Sequence, residues 1–342
     1  MSETNKQIKL AKRPEDMPSL EHFDFVEGTI PTPTNNEVLV RTLYLSVDPY
    51  MRGRMSSSKS YVQPFQLNET ITGGVIAEVV ESKSDHFQQG DVVVGMLGWQ
   101  EYSLASEKEI RKIDAELAPM TAYLGILGMP GITAYFGLLD IGQPKEGETV
   151  VVSAAAGAVG SVVGQIAKIK GAHVVGIAGA DEKINYIKNE LGFDEGINYK
   201  KTDNLQEALK QACPNGIDVY YENVGGEISD AVFTQLNDFS RIPVCGAISA
   251  YNLPAGEDIG PRIQTTLIKT RALMKGFIVG DYMDRWPEAT KDLAQWLQQG
   301  KLKYEETISE GFEKIPEAFL GLFKGENMGK QLVKVAEPRN QK

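Results

Sequence analysis

The stretch VVSAAAGAVGSVVGQIAKIKGAHVVGIAG, residues 151–179, constrains the fold more than any other part of this chain. Thr149–Val152 is a short β-branched run of the kind that fills a strand buried on both faces, and the turn-forming Pro144–Gly147 introduces it. From Gly157 to Lys170 the apolar residues Val159, Val162, Val163, Ile166, Ala167 and Ile169 recur at spacings of three and four. That spacing predicts a helix, and Gly171 stands where a C-cap glycine would end it. His173–Ile177 reads as a second strand. Strand, Ala/Gly turn, helix and strand within about thirty residues make the βαβ unit on which dinucleotides bind.

The fingerprint of such a unit is G-x-G-x-x-G, and the chain offers Ala155-x-Gly157-x-x-Gly160, a partial match with Ala in the first position. Gly157 would let the backbone approach a pyrophosphate, Gly160 would let helix and strand pack closely, and the helix N-terminus would present its free N–H groups and positive dipole end. Side chains in this turn would stand where phosphate must lie. A tightly packed turn with no ligand is the competing reading.

At 342 residues the chain exceeds the size at which one core keeps growing, so two domains are expected. No apolar run approaches the ~20 residues of a membrane helix. The N-terminal MSETNKQIKLAKRPED lacks the apolar core of a signal peptide, which sets the expectation at the cytoplasm and makes the sequon Asn68-Glu69-Thr70 a chance match. The net charge of −11, with only short basic groups such as Arg52/Arg54, argues against a nucleic-acid surface. Cys213 and Cys245 cannot build a four-thiolate zinc site, and His22, His86 and His173 show no metal-ligand spacing. Neither a disulfide nor a Cys–His or Ser–His–Asp nucleophile is expected, and His173, opening a strand, reads as structural.

The first ~120 residues alternate strand patterns with turns, as in EVLVRTLYLSVDPYMRG and QQGDVVVGMLGWQEYSLAS, and read as a β domain. From about Leu124 strands alternate with helices: strands are expected at 149–153, 173–178, 196–199, 217–222, 242–247 and 273–279, as a doubly wound parallel sheet demands. A helix follows at Glu288–Gln299, and the tail returns to strand, helix and strand, which should rejoin the first domain. No internal repeat or low-complexity segment interrupts this plan.

That order, with SVDPYMRGRM, GMPGITAYFGL, SAAAGAVGS, YYENVGGE and GENMGKQLVKV in sequence, resembles the zinc-free medium-chain dehydrogenase/reductases from Pro31 to Val335. Within them it is most similar to the leukotriene/prostaglandin reductase and alkenal double-bond reductase branch. The resemblance implies an α/β fold: a GroES-like β-rich catalytic domain (1–123 and 300–342) plus a Rossmann doubly wound parallel sheet (124–299). It implies NADPH as cofactor, touched by Thr133, Ala156, Ala158, Val159, Gly179, Lys183, Tyr199, Asn223, Cys245, Phe277, Ile278, Val279 and Asn327 beside Gly157 and Gly160. It further implies a homodimer paired through 272–280, whose apolar edge a protein must cover.

Cofactor choice also has an independent reading. An NAD site wants an acid at the end of the second strand to bond the ribose hydroxyls, whereas this strand ends Ile177-Ala178-Gly179. Asp181 reads as the N-cap of the next helix. Lys183 then stands where the family places a cation beside a 2′-phosphate. Asn223 follows an apolar strand, where ligands bind in open α/β sheets. Cys245 reads equally as a lining residue of the nicotinamide pocket or a buried structural thiol.

Reducing a double bond conjugated to a carbonyl needs a hydride at the β-carbon, a donor for the developing enolate oxygen, and a proton for the α-carbon. Tyr50 in DPYMRG and Tyr251 in AISAYN match tyrosines of the double-bond reductases, and a phenol bonds an enolate oxygen without a metal; core packing is the alternative for each. The ribose 2′-hydroxyl or water is a second source of the proton, and nothing in the sequence fixes the role of Arg52, for which ordering its loop is one reading. Two other functions stay open, a quinone reductase of the same fold and a non-catalytic NADPH-binding regulatory protein. Substrate choice rests on loops around Tyr50, Tyr61 and Tyr251–Tyr282.

Overall fold

Thr149–Ser153 (β1) is a strand with every residue buried, as its β-branched run requires. In the computed structural model, which describes residues 4–254 and 256–339, it sits in the middle of a parallel sheet. The chain ends of the expected 1–123 and 300–342 domain thus fall in part outside the described residues. The other strands are His173–Ala178 (β2), Glu195–Asn198 (β3), Ile217–Tyr221 (β4), Leu236–Val244 (β5) and Leu273–Gly276 (β6). Their order is β3-β2-β1-β4-β5-β6, with parallel pairing throughout. This is the doubly wound dinucleotide-binding order, and its direction reverses between β1 and β4, where ligands bind at the strands' C-terminal ends.

Seven helices serve this sheet: Met129–Phe136 (α1), Gly160–Ile169 (α2), Asp181–Asn189 (α3), Leu205–Ala212 (α4), Gly226–Phe233 (α5), Gln264–Thr270 (α6) and Trp286–Gln298 (α7). The second begins at Gly160 rather than at 157 because Ala154, at φ 49°, bends the chain into a turn closed by the Gly157 N–H on Ala154 O at 2.9 Å. It ends in a Schellman motif, with the Ala172 N–H on Ala167 O at 3.1 Å, the Gly171 N–H on Lys168 O at 3.0 Å, and Gly171 at φ 81°. The final strand stops at Gly276, short of the expected 279, because the chain enters a 3₁₀ turn at Val279–Arg285. β5 starts at Leu236 and ends at Val244, earlier than expected at both ends. Asp181 is not an N-cap: Ala180 holds that place, and the Asp181 carboxylate instead accepts from Asn198 Nδ2 at 2.6 Å and pairs with Lys201.

By its internal contacts this unit comprises Gly125–Glu305 with Met328–Lys330. The other comprises Met1–Leu124, Glu306–Asn327 and Gln331–Lys342. Its long strand Glu37–Ser46 pairs with Thr72–Ser82 along one edge. The other edge is shared, Glu37–Arg41 with Tyr102–Ser106 and Tyr44–Ser46 with Leu332–Lys334. Phe23, Trp99, Phe319 and the aliphatic residues around them form its core. Among the described residues no helix is long and apolar enough to cross a membrane.

Helix α2 lies close to the chain behind β2 because Gly164 has no side chain: a Cβ there would stand 1.8 Å from Phe193 Cζ, and Phe193 is buried. Gly164→Ala is therefore expected to destabilise this unit by roughly 1–3 kcal/mol, as overpacking does. Urea unfolding followed by circular dichroism measures it; an unchanged midpoint would show that Phe193 moves aside freely.

Candidate functional site

The Ala/Gly turn between β1 and α2 has two glycines with different reasons. A Cβ on Gly160 would meet Ala154 O at 2.4 Å, so the turn's own backbone demands glycine there. A Cβ on Gly157 would meet only Ala154 O, at 3.2 Å, and otherwise open space. Packing therefore constrains Gly157 less than Gly160. No side chain caps α2, and among the described residues no acceptor takes the amides of Ala158, Val159 or Gly160. Amides without an intrahelical acceptor at a helix N-terminus are what a pyrophosphate takes up. Ala156 is buried, and its carbonyl is fixed from the far end of the chain by the Gly329 N–H at 2.8 Å. Gly329 is at φ 62°, and a Cβ on it would stand 1.9 Å from Glu305 O.

A second group gathers at the ends of β2 and β3. A Cβ on Gly179 would lie 3.1 Å from both Tyr199 Cε1 and Lys200 Cε. Lys183, in the first turn of α3, is held below its ordinary pKa by burial and then by the charge of Lys200. No acid stands at the end of β2, in line with the sequence.

The switch point is built around Glu222, a buried carboxylate just past β4. It accepts from Tyr220 OH at 2.9 Å, from the Val224 and Gly225 N–H groups at 2.9 Å each, from Ser153 Oγ at 3.2 Å, and from Ser229 Oγ. Asn223 is held by its N–H on Ser153 Oγ (2.9 Å) and its Nδ2 on Ser153 O (2.8 Å), which leaves Oδ1 to accept. The Glu222 carbonyl takes the Cys245 and Gly246 N–H groups at 2.9 and 3.1 Å, so the turn carrying Tyr251 is pinned to the one carrying Asn223. Tyr251 OH accepts the Ala247 N–H at 3.3 Å. Burial raises its pKa, which keeps it protonated with its own proton free for another acceptor. Burial also pushes the Cys245 thiol up to about 12, so it is no nucleophile; it lies beside Tyr221, whose hydroxyl donates to Thr133 O at 2.9 Å. The Thr133 hydroxyl turns back onto Met129 O at 2.7 Å. Phe277, Ile278 and Val279 follow β6, with the Phe277 ring edge-on to Tyr221 at 6.4 Å.

Two expected residues belong to the other unit. Tyr50 precedes a helical turn at Met51–Arg54, packs against the core of that unit, and is pushed well up in pKa by burial and by Asp48. Three arginines fasten its loop to backbone carbonyls: Arg52 to Asp16 O (2.9 Å), Arg54 to Gln63 O (2.9 Å), and Arg13 to Met55 O (2.9 Å) and Phe65 O (2.8 Å). Asn327 ends the segment Glu306–Asn327 of the same unit.

Residues 6–113 match the N-terminal domain of oxidoreductases, and residues 158–297 match the model described as zinc-binding dehydrogenase. The chain is 66% identical over 339 residues to YfmJ of Bacillus subtilis (strain 168), covering 99% of this chain and 100% of that one. It is 45% identical over 338 residues to the NADP(+)-dependent 2-alkenal reductase of Nicotiana tabacum, covering 97% and 98%. The crystal structure of CurA from Vibrio vulnificus in complex with NADPH superposes with a TM-score of 0.92 at 47% identity, covering 97% of this chain and 100% of that one. This chain is a medium-chain dehydrogenase/reductase of the zinc-free branch. Among the described residues of this medium-chain reductase no three His, Cys, Asp or Glu side chains gather as metal ligands would. His173 Nε2 lies 2.9 Å from Ala212 O.

The sequence reading of this reductase passed over Glu222, Lys200 and Gly329. Glu222 lies within YYENVGGE, Lys200 beside Tyr199, and Gly329 within GENMGKQLVKV, but what each touches depends on segments distant in the chain. The contrast between the two turn glycines is testable. Gly157→Val is expected to abolish NADPH binding while leaving the far-ultraviolet circular dichroism and thermal midpoint nearly unchanged, whereas Gly160→Ala should cost roughly 1–3 kcal/mol of stability. Undiminished NADPH titration of the Gly157 variant would return the turn to pure packing.

Proposed function

We propose that this chain reduces the carbon–carbon double bond of α,β-unsaturated ketones and aldehydes with NADPH, leaving the carbonyl intact. The observation that carries the reading is the pairing, on one sheet, of untaken amides at Ala158, Val159 and Gly160 with a protonated phenol at Tyr251. The relative named 2-alkenal reductase and the neighbour crystallised with NADPH support it.

In this proposal the amides of the Ala/Gly turn bind the pyrophosphate, Lys183 and Tyr199 face the 2′-phosphate, and Asn223 Oδ1 accepts from the cofactor. Thr133, Cys245, Phe277, Ile278, Val279 and Asn327 complete its contacts. When bound, NADPH supplies the hydride. Tyr251 would donate a hydrogen bond to the substrate oxygen and hold the negative charge that develops there, and water or the ribose 2′-hydroxyl would supply the proton that the α-carbon takes up. The Ala247 N–H on the phenol oxygen makes Tyr251 a stronger donor, and Gly246, where a Cβ would stand 2.9 Å from that hydroxyl, leaves it room. Tyr50, protonated at neutral pH, is the second phenol of the proposal.

Anaerobic NADPH oxidation with alkenals, enones and quinones tests this, with products identified. Saturated carbonyls are expected; an allylic alcohol, or turnover of quinones alone, contradicts it. Tyr251→Phe should cut turnover roughly tenfold to a thousandfold, about 1.4–4 kcal/mol, with NADPH affinity little changed. Full turnover in that variant would return Tyr251 to packing.

The homodimer and the cytoplasm belong to the same proposal. β6 is the last strand of its sheet and all its residues are exposed, Leu273 at 50% and Met274 at 38%, while Ile268 on α6 is 79% exposed. An open apolar edge invites pairing with a second copy. Both cysteines are thiols, as a reducing compartment keeps them. Sedimentation at micromolar concentration should show a dimer, and Leu273→Lys should shift it toward monomer; a wild-type monomer would remove this part of the proposal.

A further inference from the structure

We propose that Lys200 is a second cation for the 2′-phosphate of NADPH and so helps to set cofactor choice, an inference that rests on the reductase reading above. β2 and β3 are parallel neighbours whose last pair is Ala178 with Asn198, so Gly179 and the Tyr199-Lys200 pair leave the sheet side by side. The missing side chain of Gly179 is what admits them: a Cβ there would lie 3.1 Å from Lys200 Cε, tighter than ordinary packing. Lys183 is close enough to feel the charge of Lys200, which, after burial, holds its ammonium below the usual range against the weaker pull of Glu182.

Lys200 itself stands beside Gly179 at the end of β2, where a cofactor's adenosine ribose is held in such sheets. Three carboxylates of this region are paired with cations or amides other than Lys200. Asp181 takes Asn198 and Lys201, Glu195 takes Lys188 at 2.8 Å, and Glu190 takes Lys303 at 3.3 Å. Among the described residues Lys200 Nζ has no ion pair, and its ring contact is with Tyr199, 6.0 Å to the centroid. A phosphate monoester dianion satisfies two cations at once through charge-assisted hydrogen bonds, whereas the 2′-hydroxyl of NADH offers no charge to either. Lys200 thus bears on the phosphate alone.

The test is the dissociation constant of NADPH, NADH and adenosine 2′,5′-bisphosphate, by calorimetry, for the unmodified protein and for Lys200→Ala, Lys183→Ala and Lys188→Ala. Lys200→Ala should weaken NADPH and the bisphosphate roughly tenfold to a hundredfold. NADH should stay within about twofold, as should every ligand of Lys188→Ala, whose charge is exposed and paired with Glu195. Raising the salt should shrink the difference. Equal losses for NADPH and NADH, or no loss in either, would overturn the role of Lys200. If the unmodified protein binds both cofactors equally, the NADPH reading itself falls. If it prefers NADPH, and Lys183→Ala removes that preference while Lys200→Ala keeps it, only the present inference falls.

Discussion

The buried carboxylate of Glu222 holds the switch point of the parallel sheet together. It gathers hydroxyls from β1, β4 and α5 and two backbone amides of the turn that follows β4. A polar side chain taken out of water at this depth is tolerated only when hydrogen-bond partners meet it, and here they do. The consequence reaches beyond the carboxylate. Its neighbour Asn223 is locked on Ser153, and its own carbonyl anchors Cys245 and Gly246, from which the chain runs on to Tyr251. Asn223, Cys245 and the turn leading to Tyr251 therefore inherit their positions from one polar knot.

The same economy of side chains explains the opposite end of β1. The turn from Ala154 to Gly160 carries almost nothing because two demands meet there, a backbone folded on itself at Gly160 and open space above Gly157. Gly329 adds a third, a carbonyl clamp on Ala156 that only a glycine at positive φ can make. In the proposed function backbone amides, rather than charged side chains, would face the pyrophosphate, and cations would enter only where a monoester phosphate is to be told from a hydroxyl.

Much of this was legible in the chain itself. The β-branched run at Thr149–Val152, the period of Val159 to Ile169 and the glycine at 171 are local signals, and each element formed where its residues placed it, to within a turn. The start of α2 was not legible, since nothing in an alanine announces the left-handed conformation that Ala154 adopts. Asp181 followed capping preference in the sequence and broke it in the structure, because Asn198 and Lys201 claim its carboxylate. Lys200 and Glu222 were invisible for the same reason, as their meaning lies in contacts between strands that a linear reading does not bring together.

The central claim is that hydride goes to carbon conjugated with the carbonyl while a phenol holds the oxygen. Single turnover with NADPH deuterated at the transferable position and a simple enone, read by carbon and deuterium NMR of the product, tests it most directly. One deuterium on the β-carbon of a saturated ketone, with none on the carbonyl carbon, is the predicted result. Deuterium on a carbinol carbon would contradict the account.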